Sequence, residues 1–318
     1  MDNIQEIKHL IRKAQVIVVC GHTNPDGDSI GSLLSLGLGL RSLGKRVHMI
    51  SQQGIPKRYR SLPGASCLVK NVTLGRLDLA ISVDCTSKEL LGSAWKFFKQ
   101  AKAVLEIDHH EFRKPFGDRA WVDTKAAAVG EMIFLLLKEL KVSVTKDIAT
   151  NMLASIIVET NSFRLPHTNE RTFKICASLL ERGVDFYSLT DRIYWSHTRE
   201  ELILSKICLE RARFLSRGRI AWSIIRSKDF RGMRGRDSDV DAVADEMRAL
   251  KGVRVALLFR QKSQKVLRVS IRSKEGIDVA KFAERFGGGG HSDVAGCTIP
   301  YHQRSIKNFL RSVQTLLD

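Results

Sequence analysis

A two-domain α/β fold is what this sequence of 318 residues predicts, on three observations. The length exceeds what one hydrophobic core usually supports. In the first half, short β-branched apolar runs alternate with segments of helical periodicity, the pattern of a parallel sheet with helices on both faces. Further strand-like runs near the C-terminus lead into a glycine-rich stretch and mark a second, smaller α/β unit.

In chain order, Val16–Cys20 and Leu79–Val83 are apolar throughout and end in polar or acidic loops, as buried parallel strands do. A third run, 103–107, passes directly into Asp108-His109-His110. Residues 29–43 carry apolar positions at helical spacing and stop near Gly44; 129–140 and 147–159 are further helices of a domain reaching about residue 190. A connector over 191–217 contains an amphipathic helix, 200–215. The second domain, 218–318, has strands at 220–225, 253–259 and 266–271 and helices at 240–250 and 279–286.

Composition narrows the function. Hydrophobic residues at 43% and charged residues at 27% exclude a wholly disordered chain. No apolar run approaches the ~20 residues of a membrane span, and residues 1–13 lack the apolar segment of a secretory signal, so a cytoplasmic location is expected. Six scattered cysteines without a CxxC pair argue against a zinc knuckle or a disulfide framework. The net charge of +18 divides as +7 over residues 1–200 and +11 over 201–318. It suggests a polyanionic partner such as nucleic acid, with a solubility role as the plainer alternative.

His22-Thr-Asn-Pro-Asp26-Gly-Asp28 puts an imidazole and two carboxylates on a tight turn between a strand and a helix. Carboxylates this close repel unless a cation sits between them. Asp84 and Asp108-His109-His110 end the next two strands, and ligands gather at the carboxyl ends of parallel strands. Each residue alone serves equally well as a helix cap or turn former; three such groups at successive strand ends point to a metal site. Oxygen and imidazole donors without thiolate suit Mn²⁺ or Mg²⁺. Farther on, Gly287 to Gly290 allow backbone amides to approach an anion, and His291 adds a donor, unless the run is a flexible linker. Arg268 and Arg272, four apart on a strand, can grip a phosphate.

In these residues the chain resembles the DHH phosphoesterases. Asp108-His109-His110 is the motif that names that family, and His22 to Asp28 looks like its first motif. The glycine run with His291, Ala295 and Gly296, and the segment Arg268-Val-Ser-Ile-Arg272, are similar to the associated DHHA1 substrate-binding domain. The resemblance covers nearly the whole chain and is strongest to the branch of nanoRNases and 3′-phosphoadenosine-5′-phosphate phosphatases, with RecJ-type exonucleases as larger relatives. It implies two divalent cations, Mn²⁺ ahead of Mg²⁺: one held by His22, Asp26 and Asp84, the other by Asp28, Asp84 and His109, with Asp84 as the bridge. It further implies that Glu159 meets a metal, that His110 acts on the scissile phosphate or leaving oxygen, and that Asp108 orients an imidazole. Arg268, Arg272, Gly288, Gly289, Gly290 and His291 would bind substrate, across a cleft from the metals.

Three positions depart from the family pattern. Glu159-Thr-Asn-Ser-Phe163 stands where Asp-Thr-x-x-Phe is usual, Cys85 to Lys88 lack an acidic residue, and Arg113 replaces an asparagine. The implied substrate is short RNA or a 3′,5′-bisphosphonucleotide, with no membrane partner; a homodimer is compatible. The alternatives are a cyclic-dinucleotide phosphodiesterase, a nucleotide- or RNA-binding module with a weakened site, and, last, a family II pyrophosphatase, whose second domain lacks the glycine loop.

Overall fold

A computed structural model describes residues 4–231, 240, 242–274 and 276–317. The chain divides into two units, Met1–Ser196 and His197–Asp318, each with its own sheet.

The first unit runs α1 (Ile4–Lys13), β1 (Val16–Cys20), α2 (Gly27–Ser42), β2 (Arg46–Ile50), β3 (Leu68–Val69), β4 (Leu79–Val83), α3 (Trp95–Gln100), β5 (Ala103–Asp108), β6 (Arg119–Val122), α4 (Val129–Glu139), α5 (Lys146–Glu159), α6 (Glu170–Leu180) and α7 (Phe186–Tyr194). Its six strands are all parallel, in the order β3-β2-β1-β4-β5-β6. Both faces are covered, which is why the central strands read as unbroken apolar runs. Ile17, Val19, Ile81 and Ile107 pack with α2, α4 and α5. Val18, Cys20, Ala80 and Val104 face the other way, onto Phe97 and Phe98 of α3. Strand order reverses between β1 and β4, so the loops leaving these two strands flank a topological switch point, where open α/β sheets bind ligands.

The second unit runs α8 (Arg199–Glu210), β7 (Arg213–Leu215), β8 (Ile220–Ile225), α9 (Ala242–Ala249), β9 (Val255–Gln261), β10 (Val266–Ser273), α10 (Val279–Glu284), β11 (Gly289–Gly290), β12 (Val294–Pro300) and α11 (Gln303–Gln314). Its sheet has the order β11-β12-β10-β9-β8-β7; β8 and β9 run parallel, and the other neighbours antiparallel. Phe259, Phe282 and Phe309 form the core beneath α10 and α11. Leu204 of α8 and Met247 of α9 close the opposite face. Among the described residues no helix is long and apolar enough to cross a membrane.

Two expected helices are shorter than their patterns. The helix expected to reach Leu215 ends at Glu210. Arg211 then locks onto Asp229 through two bonds of 2.6 and 2.9 Å, and Arg213–Leu215 pair with Ile220–Trp222 as a strand. The helix expected to reach Phe286 ends at Glu284, because Gly287 turns left-handed (φ +68°). The amide of Gly288 donates to Ala283 O at 3.0 Å and that of Gly287 to Glu284 O at 2.9 Å, a Schellman termination. Of the helix expected over 240–250, Asp241 lies outside the described residues, as do residues 1–3 of the N-terminal stretch.

Candidate metal centre

The loops leaving β1, β4 and β5 bring the acidic motifs of the first unit together. Asp26 caps α2, accepting from Ser29 N at 3.0 Å. Asp28, in the first turn of α2, is fully buried and accepts from Ser155 Oγ (2.6 Å), Val129 N (2.8 Å), Ser32 Oγ (2.9 Å) and Gly130 N (3.3 Å). Two of these donors are amides at the N-terminus of α4, where a carboxylate is favoured. The arrangement depends on helices meeting without side chains between them. A Cβ on Gly31 would lie 2.4 Å from Asn151 O, and one on Gly130 would lie 2.1 Å from Ser155 Oγ.

Asp84 follows β4 with φ +54°, a left-handed conformation costly for most residues but tolerated by Asp. Its Oδ2 is 3.5 Å from His22 Nε2, and its Oδ1 is 4.0 Å from His109 Nε2 and 3.7 Å from His110 Nδ1. The backbone sets the tautomer of two imidazoles. His22 Nδ1 lies 2.7 Å from Thr23 O and His109 Nδ1 lies 3.0 Å from Ala126 O. An Nδ1–H donating to a carbonyl aims the Nε2 lone pair at the carboxylates, as metal-binding histidines require. His22 Nε2 is also 3.9 Å from Asp26, while His109 Nε2 is 3.6 Å from Asp28 and 3.9 Å from Glu159. Among the described residues of the first unit, donor atoms lie within 4.8 Å of one another in three sets: His22, Asp26 and Asp84; Asp28, Asp84 and His109; Asp84, Asp108 and His110. Asp84 belongs to each of these three.

The electrostatics show what the cluster lacks. Burial, reinforced by the Asp84 carboxylate, lifts Asp28 to about 6; burial and the nearby Asp28 carboxylate lift Glu159 to about 7. Burial works against a charged imidazole at His110 as well, but Asp108 at 2.8 Å overrides it and raises His110 to about 9. Reciprocally, His110 outweighs burial at Asp108 and holds its carboxyl below the ordinary range. Carboxylates that retain protons near neutrality beside imidazoles that gain them mark a site short of positive charge. Oxygen and imidazole donors at these separations fit hard divalent cations.

Arg113 has a structural account. It donates to Glu106 and, at 3.4 Å, to Asp108. Glu106 is fully buried and also accepts from Phe116 N and Gly117 N at 2.9 and 2.6 Å. Arg113 therefore neutralises a carboxylate under the site and steadies the residue that holds His110. Glu106 escaped the sequence reading although its signal is there: an acid inside the apolar strand Val104-Leu105-Glu106-Ile107. Ser155 had no such signal, since only the packing of α2 against α5 brings it to Asp28.

In the second unit, Arg268 and Arg272 occupy one face of β10, opposite Thr298 and Val294 of β12. Arg272 Nε lies 3.2 Å from each oxygen of Asp245. The glycine run divides its tasks: Gly287 ends α10, and Gly289 and Gly290 pair with Gly296 and Ala295. A Cβ on Gly288 would lie 2.1 Å from Gly296 O and one on Gly290 would lie 2.3 Å from Val294 O, whereas Gly289 faces open space. His291 N donates to Val294 O at 2.7 Å.

Comparison with known proteins places these features in context. The N-terminal domain of the DHH family matches residues 16–156, and the DHHA1 domain matches residues 232–318. A bifunctional oligoribonuclease and PAP phosphatase, NrnA, of Thermus thermophilus is 30% identical over 288 residues, covering 89% of this chain and 84% of that protein. Among solved structures, an exopolyphosphatase-related protein of Bacteroides fragilis aligns with a TM-score of 0.84 at 19% identity, over 99% of this chain and 95% of that one. RecJ of Thermus thermophilus in complex with Mn²⁺ aligns with a TM-score of 0.59 at 17% identity, over 99% of this chain and 54% of that one.

Proposed function

This chain belongs to the DHH family of phosphoesterases, with a DHHA1 domain as its second part, and on that premise we propose that it hydrolyses short oligoribonucleotides and 3′-phosphoadenosine-5′-phosphate at a site for two divalent cations, Mn²⁺ preferred to Mg²⁺. The relative at 30% identity carries both activities in its name, and the RecJ structure is a complex with Mn²⁺. The observation that carries the reading is Asp84, whose two oxygens face different ligand sets.

His22, Asp26 and Asp84 would hold one ion, and Asp28, Asp84 and His109 the other, with Glu159 reaching the second from the end of α5. Such a pair, when bound, supplies Lewis-acid charge and acidifies water near neutral pH. The chain's own groups do the rest. Ser155, Ser32 and the α4 amides hold Asp28 in one orientation. Asp108 fixes Nδ1–H of His110, so that Nε2–H is directed as the donor to a phosphate or leaving oxygen. Water then adds to phosphorus and releases a proton to solvent, the bond to the leaving oxygen breaks, that oxygen takes a proton from His110, and His110 regains one from solvent. Arg268, Arg272, the Gly288 to Gly290 backbone, which admits a ligand closely, and His291 would bind the substrate's phosphate and sugar.

The test is product chromatography of the purified chain with Mn²⁺ against di- to pentaribonucleotides, 3′-phosphoadenosine-5′-phosphate and a cyclic dinucleotide. The expected products are mononucleotides from RNA, and AMP with phosphate from the bisphosphonucleotide, all lost on chelation. Turnover in excess EDTA would overturn the metal assignment, and turnover of the cyclic dinucleotide alone would overturn the substrate assignment.

A further inference from the structure

Helix α11 arranges its charge against its own stability. Arg304, Lys307 and Arg311 recur at three- and four-residue spacing on one exposed face, and Gln303–Gln314 contains no acidic residue. Like charges at these spacings repel. Arg304 also stands in the first turn, where the helix dipole disfavours a cation. Other exposed helices of the same chain avoid this: Glu170 pairs with Lys174 at 2.6 Å in α6, and Lys206 with Glu210 at 3.7 Å in α8. A face needed only for solubility would mix signs in that manner.

The basic track continues beyond the helix. Gln314 donates to Ser216 Oγ at 3.2 Å, which ties the end of α11 to the β7–β8 turn. There Ser216 and Arg217 adopt φ of +51° and +57°, a left-handed conformation uncommon outside glycine and asparagine, and the turn presents Arg217 and Arg219 to solvent. None of these five cations has an ion-pair partner among the described residues. The groove along the helix is lined by Gln303, Arg304, Lys307, Asn308 and Arg311, without an apolar side chain, which suits a phosphate backbone and not a lipid tail or an apolar peptide. From Arg304 to Gln314 the helix spans roughly 15 Å, enough for several consecutive phosphates.

We propose that the outer face of α11 and the β7–β8 turn form a docking surface for the sugar-phosphate backbone of single-stranded RNA, separate from the residues assigned to the phosphoester reaction. The inference rests on charge placement and holds whether or not short RNA is the substrate. Its occupant is chosen by charge complementarity: five cations without an ion-pair partner among the described residues, three along the helix and two on the turn tied to its end, match a polyanion, and the absence of a stacking platform along the helix predicts little base preference.

The test measures binding of a fluorescein-labelled 24-nucleotide RNA to the full chain in EDTA, so that no turnover occurs, as a function of salt. The variant carries Arg304→Gln, Lys307→Gln and Arg311→Gln, which retain helix propensity and remove the repulsion. The expected result is affinity lower by roughly tenfold or more and a salt slope smaller by about 2, from roughly 0.7 per lost phosphate contact. Its melting temperature should be equal to or above that of the parent, and its turnover of a dinucleotide unchanged. Equal RNA affinity and slope in parent and variant would overturn the proposal, as would binding of phosphatidylserine vesicles through these residues without binding of RNA.

Discussion

The first unit buries its charge and the second displays it. Asp28, Asp84 and Asp108 are at most 3% exposed, whereas Arg304, Lys307 and Arg311 stand in solvent. Buried like charge persists only where opposite charge or dedicated donors share the space. Asp28 has two hydroxyls and two amides, and Asp108 has Arg113 and His110. Asp84 has imidazoles at 3.5–4.0 Å, beyond hydrogen-bonding distance. The buried set therefore contains a place for cations, while the exposed set calls for a polyanion from outside. Substitutions that remove one buried charge should accordingly cause larger functional losses than those that remove one surface charge.

The largest effect is expected at Asp84. Asp84→Asn should lower kcat by orders of magnitude and, in the metal-free chain, leave the melting temperature unchanged or raised, because one of several crowded carboxylates is gone. Calorimetry alongside rate measurement checks both; a variant that fails to fold would make Asp84 structural. Next comes His110→Ala. Loss of a general acid costs typically 10²- to 10⁴-fold, and the pH–rate profile should lose its alkaline limb, because Asp108 raises the basicity of His110 and bound cations would bring that limb down from the metal-free value of about 9. A normal alkaline limb would assign that proton to another group.

A smaller loss is expected at Ser155, which touches no substrate. Ser155→Ala removes the 2.6 Å bond to Asp28 and should weaken Mn²⁺ binding roughly 10- to 100-fold, as lost support of a metal ligand does. The rate at saturating Mn²⁺ should be nearly normal, so a kcat loss that Mn²⁺ cannot restore would contradict the positioning role.

These residues also show what the sequence made legible. The central strands could be read because both faces of a parallel sheet are covered and their apolar runs are unbroken. Strands toward the sides of the sheet, such as β2 and the edge strand β6, mix in polar residues, and α11 has the amphipathic pattern of any surface helix, so none of these was anticipated. The acidic residues that gather at the strand ends could be named because each follows an apolar run. Ser155 could not, lying 127 positions from Asp28 and reaching it through the glycine-lined contact of α2 with α5. The glycine run illustrates a third case. Its composition suggests an anion cradle, and three of its glycines also have structural tasks that the sequence did not reveal: Gly287 ends a helix, and Gly288 and Gly290 let one strand approach another.

The mildest perturbation is pH. Asp28 and Glu159 lie near 6 and 7 in the metal-free chain. A carboxylate with a raised value is protonated below it, so protons compete with cations on the acid side and the competition fades above about pH 7. Mn²⁺ affinity should fall as pH drops from 7 to 5, and titration calorimetry at pH 6 in buffers of different ionisation enthalpy should show proton release. Affinity independent of pH over that range would mean that neither carboxylate is a ligand.

The most direct test of the two-cation account is the stoichiometry of Mn²⁺ binding to the purified chain and its Asp84→Asn variant, read by titration calorimetry or by paramagnetic resonance of free Mn²⁺. The account predicts two ions per parent chain, with dipolar coupling between them, and at most one weakly held, uncoupled ion in the variant. Two ions bound to Asp84→Asn with parental affinity would contradict it.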